Sequence, residues 1–401
     1  MPGSANKFTQ FAQGRLLWPG MTSETTKARF AGCVLTLIES KFMSSTHNLA
    51  ADVKPQHAFD YGRFSEWCRG DIDDFGEMIQ ITQISGGASN PTFVLANQHR
   101  GQTHKFVLRK QPPGKLLPSA HQVDREYRVM KALGATDVPV PRMRALCLDR
   151  DVIGVTFYVM DFIEGRVFTD AQLPGFSRAD RVAVYDDLNA TLAKLHKVDV
   201  AAIGLTDYGK PGGYFERQIG RWIKQYRGAQ TEDIPAMERL IDYLPAHIPA
   251  DDGATTIAHG DYRLQNTMYH PAEPRLVAVL DWELSTLGHP LADIAYNALM
   301  WEFETGGTFG CLKDVDHRAL GVPTQREYVA AYLRRVGRPR VTDWNFYLGF
   351  ALFRLASIAQ GVYRRVLDGN AASVIASHNR TPGMAEQAWA IIERGPCEIV
   401  A

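Results

Sequence analysis

The segment from His259 to Glu283, HGDYRLQNTMYHPAEPRLVAVLDWE, limits most narrowly what this 401-residue chain can become. It presents three oxygen-bearing side chains in a fixed order: Asp261, then Asn266, then Asp281 at the end of the apolar run Leu276–Val277–Ala278–Val279–Leu280. Asp261 and Asn266 share a short loop, so both can point into one cleft. The turn at Pro271–Pro274 reverses the chain, and the following strand returns Asp281 to the same place. Phosphoryl transfer from ATP needs such a set: an Asp at the acceptor hydroxyl, and an Asn and a second Asp for magnesium. Taken singly, Asp261 and Asp281 read more readily as turn or cap residues. The ordered set carries the chemistry.

The rest of the composition bounds the setting. A hydrophobic content of 45% over 401 residues supports a large core and two lobes or domains. Lys+Arg and Asp+Glu both number 44, so the bulk charge gives no sign of a nucleic-acid or membrane-surface partner. Cys33, Cys68, Cys147, Cys311 and Cys397 are scattered and lack CxxC spacing, so reduced thiols in the cytoplasm are expected rather than a disulfide framework or a zinc site. No uninterrupted apolar run approaches the roughly 20 residues that span a bilayer, and a soluble protein is expected.

Residues 1–50 read as a flexible extension, or as the product of a start upstream of the true Met43. With few acids and with Lys7, Arg15, Lys27 and Arg29, a transit peptide is the alternative. A helix is expected within Phe59–Phe75, then strands at Met78–Ile84 and Thr92–Leu95. Between those strands lies Ser85-Gly86-Gly87-Ala88-Ser89-Asn90-Pro91. Strand, turn, strand is the arrangement of a loop that covers phosphates: Gly86 and Gly87 permit close approach, and Ser89 or Asn90 can hydrogen-bond the phosphate. A plain hairpin turn is the competing reading. A further strand, Lys105–Lys110, is followed by a helix to Gly134, with Ser119 as N-cap and Gln122 completing a capping box. Val123, Tyr127, Met130 and Leu133 form its apolar stripe, with Glu126 beside it.

Val155–Met160 reads as a buried strand, and Asp161–Gly165 as a hinge whose backbone would meet the adenine edge. Beyond it the periodicity is helical, at Arg181–His196, Phe215–Tyr226, Pro235–Leu244 and Asp343–Leu367. His196 reads as a helix C-terminal dipole partner. Asp293 reads as a cap or loop anchor, not a metal ligand. On the last helix Phe346, Phe350, Phe353, Ser357 and Gln360 share a face that is mostly core. Between Ala331 and Val366 stand seven arginines and one acid, Asp343. If some of these arginines line the cleft, the acceptor is anionic; a solvated basic face is the alternative.

HxDxxxxN followed by a strand ending in Asp resembles the aminoglycoside phosphotransferase and choline kinase group, relatives of the protein kinases. LRKQPPGKLLPSAHQVDREYRVMKAL, HGDYRLQN, VLDWELSTLG with PLADIAY, and FALFRLASIAQG together resemble the branch associated with acyl-CoA dehydrogenases, over about residues 56–380. The resemblance implies an α+β, bilobal, protein-kinase-like fold. Its small antiparallel-sheet N-lobe would occupy residues 51–163, and its larger, mostly helical C-lobe residues 164–401.

It also implies roles. Aligning Phe106-Val107-Leu108 with the V-A-I of V-A-I-K puts Arg109 in the cation slot, where the group usually has Lys, and makes Glu126 its partner. Arg is not an automatic equivalent of Lys, and Lys110 in a shifted register is the alternative phosphate contact. Gly260 replaces the Arg of H-R-D, and Arg263 stands in the slot of the loop Lys, near the transferring γ-phosphoryl. Trp282-Glu283 replaces Phe-Gly, and His289 stands where the group usually has Asp. Asp261 would act at the acceptor hydroxyl, and Asn266 and Asp281 would hold the magnesium of MgATP. Within that branch, kinases of 4-hydroxyacyl-CoA thioesters make a CoA-bearing acceptor the implied substrate. Polycationic aminoglycosides fit the arginine-rich region poorly. A pseudokinase that binds nucleotide or acyl-CoA is the alternative, with Arg109 as its support. A protein acceptor is disfavoured, since no Ala-Pro-Glu follows Asp281. ATP versus GTP and the oligomeric state stay open.

Overall fold

In the computed structural model, which describes residues 53–84, 90–114, 121–303, 311–369 and 378–401, alternation of side chains along five antiparallel strands separates two cores. The strands are β1 (Glu77–Gln83), β2 (Thr92–His99), β3 (Gln102–Lys110), β4 (Met143–Cys147) and β5 (Phe157–Asp161), in the order β1-β2-β3-β5-β4. In β3, Phe106 and Leu108 point to one face and join Phe93, Leu95, Phe157 and Phe64 of helix α1 (Tyr61–Asp71) in a core of their own. Against the other face lies helix α2 (Val123–Leu133), whose apolar stripe belongs to the much larger core of the helical lobe.

Several details depart from the sequence expectations. β2 and β3 run well past Leu95 and start before Lys105, joined by a two-residue turn in which Arg100 and Gly101 both have positive φ (50° and 80°). Ladder pairing carries polar residues such as Gln98 and Thr103 that alternation alone does not mark as strand. β4 was not expected; it is a half-buried strand at the end of the sheet, and its Arg144 pairs with Asp161 (2.5 Å) and Asp74 (3.0 Å). Helix α2 begins at Val123, and Gln122 at its N-cap makes no side-chain capping bond, so the expected capping box is not built by Gln122. Ser119 and the proposed extension 1–50 lie outside the described residues.

The helical lobe contains α3 (Arg178–His196), α4 (Tyr214–Ala229), α5 (Pro235–Ala246), α6 (Pro290–Ala298), α7 (Gln325–Val336), α8 (Trp344–Leu367) and α9 (Thr381–Glu393). Helix α8 is buried on every side from Trp344 to Ser357, so the stripe read from its sequence is only part of its buried surface. At 24 residues it is long and apolar enough to cross a membrane by length and composition. However, 72% of its most apolar window is buried inside the protein, which marks it as the central core helix. Cys68, Cys147 and Cys397 are free thiols.

Two small sheets carry the site. Strands β6 (Arg166–Val167), β8 (Thr267–Tyr269) and β9 (Leu276–Val279) are ordered β6-β8-β9, and β7 (Thr256–Ala258) pairs antiparallel with β10 (Thr286–Gly288). The β7–β10 pairing brings the chain from Asp281 directly to helix α6.

Candidate active site

The loop from His259 to Asn266 leaves β7 and is fixed by one buried carboxylate. Asp293, in the first turn of α6, accepts the backbone N–H of His259 (2.6 Å) and that of Gly260 (2.8 Å), and lies 3.2 Å from Nε2 of His196. His196 is in turn 2.6 Å from the Tyr332 hydroxyl. It is therefore a buried link to the loop anchor rather than a helix-dipole partner. Against the cost of full burial, the hydrogen bond and charge of His196 hold Asp293 below the usual carboxylate range. The loop-anchor reading of Asp293 matches this geometry.

His259 joins the loop to the strand that brings Asp281. Its Nδ1 accepts the N–H of Asp261 (3.1 Å), which leaves Nε2 protonated to donate to the Leu280 carbonyl (2.9 Å). Gly260 has φ +83°, and a β-carbon there would sit 2.6 Å from the Leu284 carbonyl oxygen, so the Arg of the protein-kinase sequence has no room. His289, which stands where the group usually has Asp, caps α6: its Nδ1 accepts the N–H of Leu291 (3.2 Å).

Asp261, Asn266 and Arg263 meet at the end of this loop. Asn266 Nδ2 donates to Asp261 Oδ2 (2.6 Å) and to the Asp261 carbonyl (2.9 Å), which turns the amide oxygen of Asn266 away from Asp261. Arg263 Nε lies 3.3 Å from Asp261 Oδ1. Leu280 N–H donates to the Asn266 carbonyl (2.8 Å), so Asp281 is anchored beside the same residue. Asp281 itself has a left-handed backbone, with φ 64° and ψ 63°. The donors left for a metal, the Asn266 amide oxygen and the Asp281 carboxylate, are hard oxygens of the kind magnesium takes together with substrate phosphates. Among the described residues no group of three or more His, Cys, Asp or Glu has metal-holding geometry.

On β3 the question of register has a geometric answer. Arg109 faces the cleft, with Nε 2.9 Å from Glu126 Oε2, and Nη2 2.9 Å from Asp281 Oδ1 and 3.8 Å from Glu283 Oε2. Lys110 points to the opposite face, 5.6 Å from the ring of Phe59, and its burial lowers it to about 8. Glu126 is 1% exposed, so it is not a solvated helix charge. Burial pushes its carboxyl up to about 7 against the pull of Arg109, with Asp281 and Glu283 adding to the rise. Asn90 Nδ2 (2.8 Å) and the Tyr158 hydroxyl (3.1 Å) donate to Glu126. Asn90 therefore differs from the expectation of a phosphate contact. It is buried, its amide nitrogen holds Glu126, and its oxygen lies 3.0 Å from His121 Nδ1. Gly86, Gly87 and Ser89 lie outside the described residues.

Sequence reasoning missed Tyr158 and Tyr296. Tyr296 is buried one turn after Asp293 on α6; burial, and then the adjacent Asp261 carboxylate, hold its hydroxyl above the usual tyrosine range. Its place in PLADIAY, i+3 from Asp293, was the available signal.

Comparison with known proteins places the family and the fold. The model of the phosphotransferase enzyme family matches residues 80–344. Acyl-CoA dehydrogenase family member 10 of Mus musculus is 46% identical over 316 residues, covering 78% of this chain and 29% of that protein. Acyl-CoA dehydrogenase family member 11 of Homo sapiens is 43% identical over 329 residues, covering 80% of this chain and 41% of that protein. The chain thus spans less than half the length of these relatives. Among solved structures, a Ralstonia eutropha protein assigned as an aminoglycoside phosphotransferase superposes with a TM-score of 0.76 at 49% identity, covering 84% of this chain and 99% of that one. Choline kinase of Cryptosporidium parvum superposes with a TM-score of 0.53 at 15% identity and supports the fold alone.

Proposed function

The chain belongs to the phosphotransferase enzyme family, and from that premise we propose that it transfers the γ-phosphoryl of ATP, with magnesium, to a hydroxyl of a small molecule. The acceptor class best supported is a hydroxyacyl-CoA, because the relatives that contain this region are named acyl-CoA dehydrogenases. The observation that carries the reading is the 2.6 Å bond from Asn266 to Asp261. One side chain thereby orients the carboxylate that would meet the acceptor and leaves its own amide oxygen free of Asp261, where it would serve a cation.

Asp261 holds the acceptor hydroxyl in line and takes its proton as the new O–P bond forms and the bond from the γ-phosphorus to ADP breaks. Arg263, beside Asp261, sets its charge against the transferring group. Arg109, held by Glu126, offers its remaining N–H groups to the α- and β-phosphates. Asn266 and Asp281 would hold magnesium, which supplies charge neutralisation across the phosphate oxygens when bound. Fixed charges in a cleft need little reorganisation during the reaction, and this is where most of the rate would arise.

The test is ADP release with MgATP across hydroxyacyl-CoAs, free hydroxy acids, choline and an aminoglycoside. Stimulation by one hydroxyacyl-CoA, lost in Asp281→Asn, is the expected result. A flat panel with intact MgATP binding would redirect the search to another alcohol. Absence of MgATP binding would overturn the assignment and favour a non-catalytic binding protein, the reading to which Arg109 in place of Lys gives its only support.

A further inference from the structure

The arginine-rich stretch near the C-terminus divides once partners are assigned. Arg335 pairs with Asp186 (2.6 Å), Arg338 with Asp252, Arg340 with Glu398 (3.2 Å) and Arg364 with Asp368 (3.1 Å), while Arg334 and Arg365 are exposed. Arg354, in the middle of α8, is different. It is only 6% exposed, and among the described residues no carboxylate pairs with it and no acceptor takes a hydrogen bond from it. Its guanidinium lies 5.5 Å from the ring of Trp222 and 5.3 Å from the ring of Tyr296. Aromatic faces offset part of the cost of burying a cation, but five N–H donors in a fixed fork still call for oxygen acceptors.

Its position says which acceptors. Tyr296 carries Arg354 on its ring and has the Asp261 carboxylate beside its hydroxyl. The same tyrosine lines a shallow surface pocket whose other walls include Arg263, Leu299, Met300, Phe303 and Leu355. A ligand whose hydroxyl reached Asp261 would lie against apolar walls, with a buried, uncompensated positive charge close by.

We propose that Arg354 is a specificity-determining residue that binds an anionic oxygen group of the acceptor, while Leu299, Met300 and Leu355 receive its hydrocarbon portion. The inference rests on the kinase reading and narrows it: the acceptor is an alcohol with an aliphatic segment and a carboxylate or phosphate. A neutral or cationic alcohol leaves the buried charge of Arg354 unmatched and binds less well.

The experiment uses the full chain with MgATP and a matched series: a hydroxy carboxylate, its CoA thioester, the diol of equal length and the corresponding trimethylammonium alcohol. Wild type is expected to favour the acid or its thioester over the diol by at least about tenfold in kcat/KM, and the preferred one names the source of the anion. Arg354→Gln should raise the acceptor KM at least about tenfold and erase that preference, with the KM for ATP changed less than about twofold and Arg354→Lys intermediate. Equal use of the diol or the ammonium alcohol by wild type would overturn the proposal, as would an unchanged acceptor KM in Arg354→Gln. If Arg354→Gln does not fold, the wild-type order of preference and the acceptor KM of Arg354→Lys decide. Should wild type bind MgATP yet phosphorylate none of the series, the kinase reading of these acceptors fails. Calorimetric binding of the hydroxy acid to wild type and Arg354→Lys then still tests Arg354: no binding, or equal binding to both, overturns it.

Discussion

Nη2 of Arg109 lies 2.9 Å from Oδ1 of Asp281, while Nε of the same guanidinium lies 2.9 Å from Oε2 of Glu126. One planar fork thus ties helix α2 to the turn after β9. A lysine, with a single nitrogen, would have to bridge both carboxylates from one point, so arginine here is a different mechanical part from the lysine it replaces.

Replacing Arg109 with Met removes the cation that lies between Glu126 and Asp281. Loss of about 3–5 kcal/mol of stability is expected from the uncompensated buried carboxylate, with a fall in kcat/KM for ATP of at least about 100-fold. Adding Glu126→Gln should recover most of the stability and none of the activity, measured by denaturant unfolding and ADP release. A double variant no more stable than Arg109→Met would refute the role given to the ion pair.

Asp261→Asn keeps the size of the side chain and removes its capacity to take a proton. Turnover should fall by about 10²- to 10⁴-fold, whereas the dissociation constant for MgATP should stay within about threefold. Calorimetry beside a turnover assay separates the two. Loss of nucleotide binding would mean that Asp261 works on the ATP side of the cleft.

Three donors converge on Asp293: the N–H groups of His259 and Gly260 and the ring of His196. In Asp293→Asn the single amide oxygen cannot satisfy all three, and the amide nitrogen faces donors. The expected outcome is a loss of about 2–4 kcal/mol in stability, accompanied by reduced turnover because the loop bearing Asp261 is released. A variant that unfolds at the wild-type denaturant concentration would show that the loop is held by other contacts.

Lys110 offers a pH signature separate from catalysis. Lys110 is 2% exposed, and burial lowers its ammonium to about 8 from 10.5. Between those values the unfolded chain holds the proton and the folded chain does not. Stability therefore rises with pH across that window and sits at its lower plateau below it. Lys110→Met should add about 1–3 kcal/mol at pH 7 and abolish the rise. Urea midpoints of both proteins at pH 7 and pH 9.5 check this, and parallel shifts in the two would contradict it.

The parts of the site legible in the sequence were those encoded by local spacing. Asp261 and Asn266 sit on one short loop and Asp281 at the end of a strand, so their order alone predicted that they meet. What required the structure was direction. Alternation puts Arg109 and Lys110 on opposite faces of β3 but does not say which face meets the cleft. Asn90 looked like a phosphate donor because polar residues crowd a Gly-Ser turn; its partner Glu126 is 36 positions away. The arginines between Ala331 and Val366 read as one basic feature because the acids that neutralise Arg335, Arg338 and Arg340 come from distant segments. With those partners assigned, Arg354 remained.

Asp281 adopts a backbone region in which a β-carbon costs about 1–2 kcal/mol, and which Asn and Asp tolerate better than other non-glycine residues. Truncation to alanine at this position would therefore change two things at once, deleting an oxygen donor and straining the backbone where the short turn Trp282–Leu284 begins. A glycine would relieve the strain but loosen the turn further. Asparagine preserves the path of the chain and keeps one oxygen while removing the charge, so it is the substitution that tests the cation donor and the Arg109 ion pair with least change to the backbone.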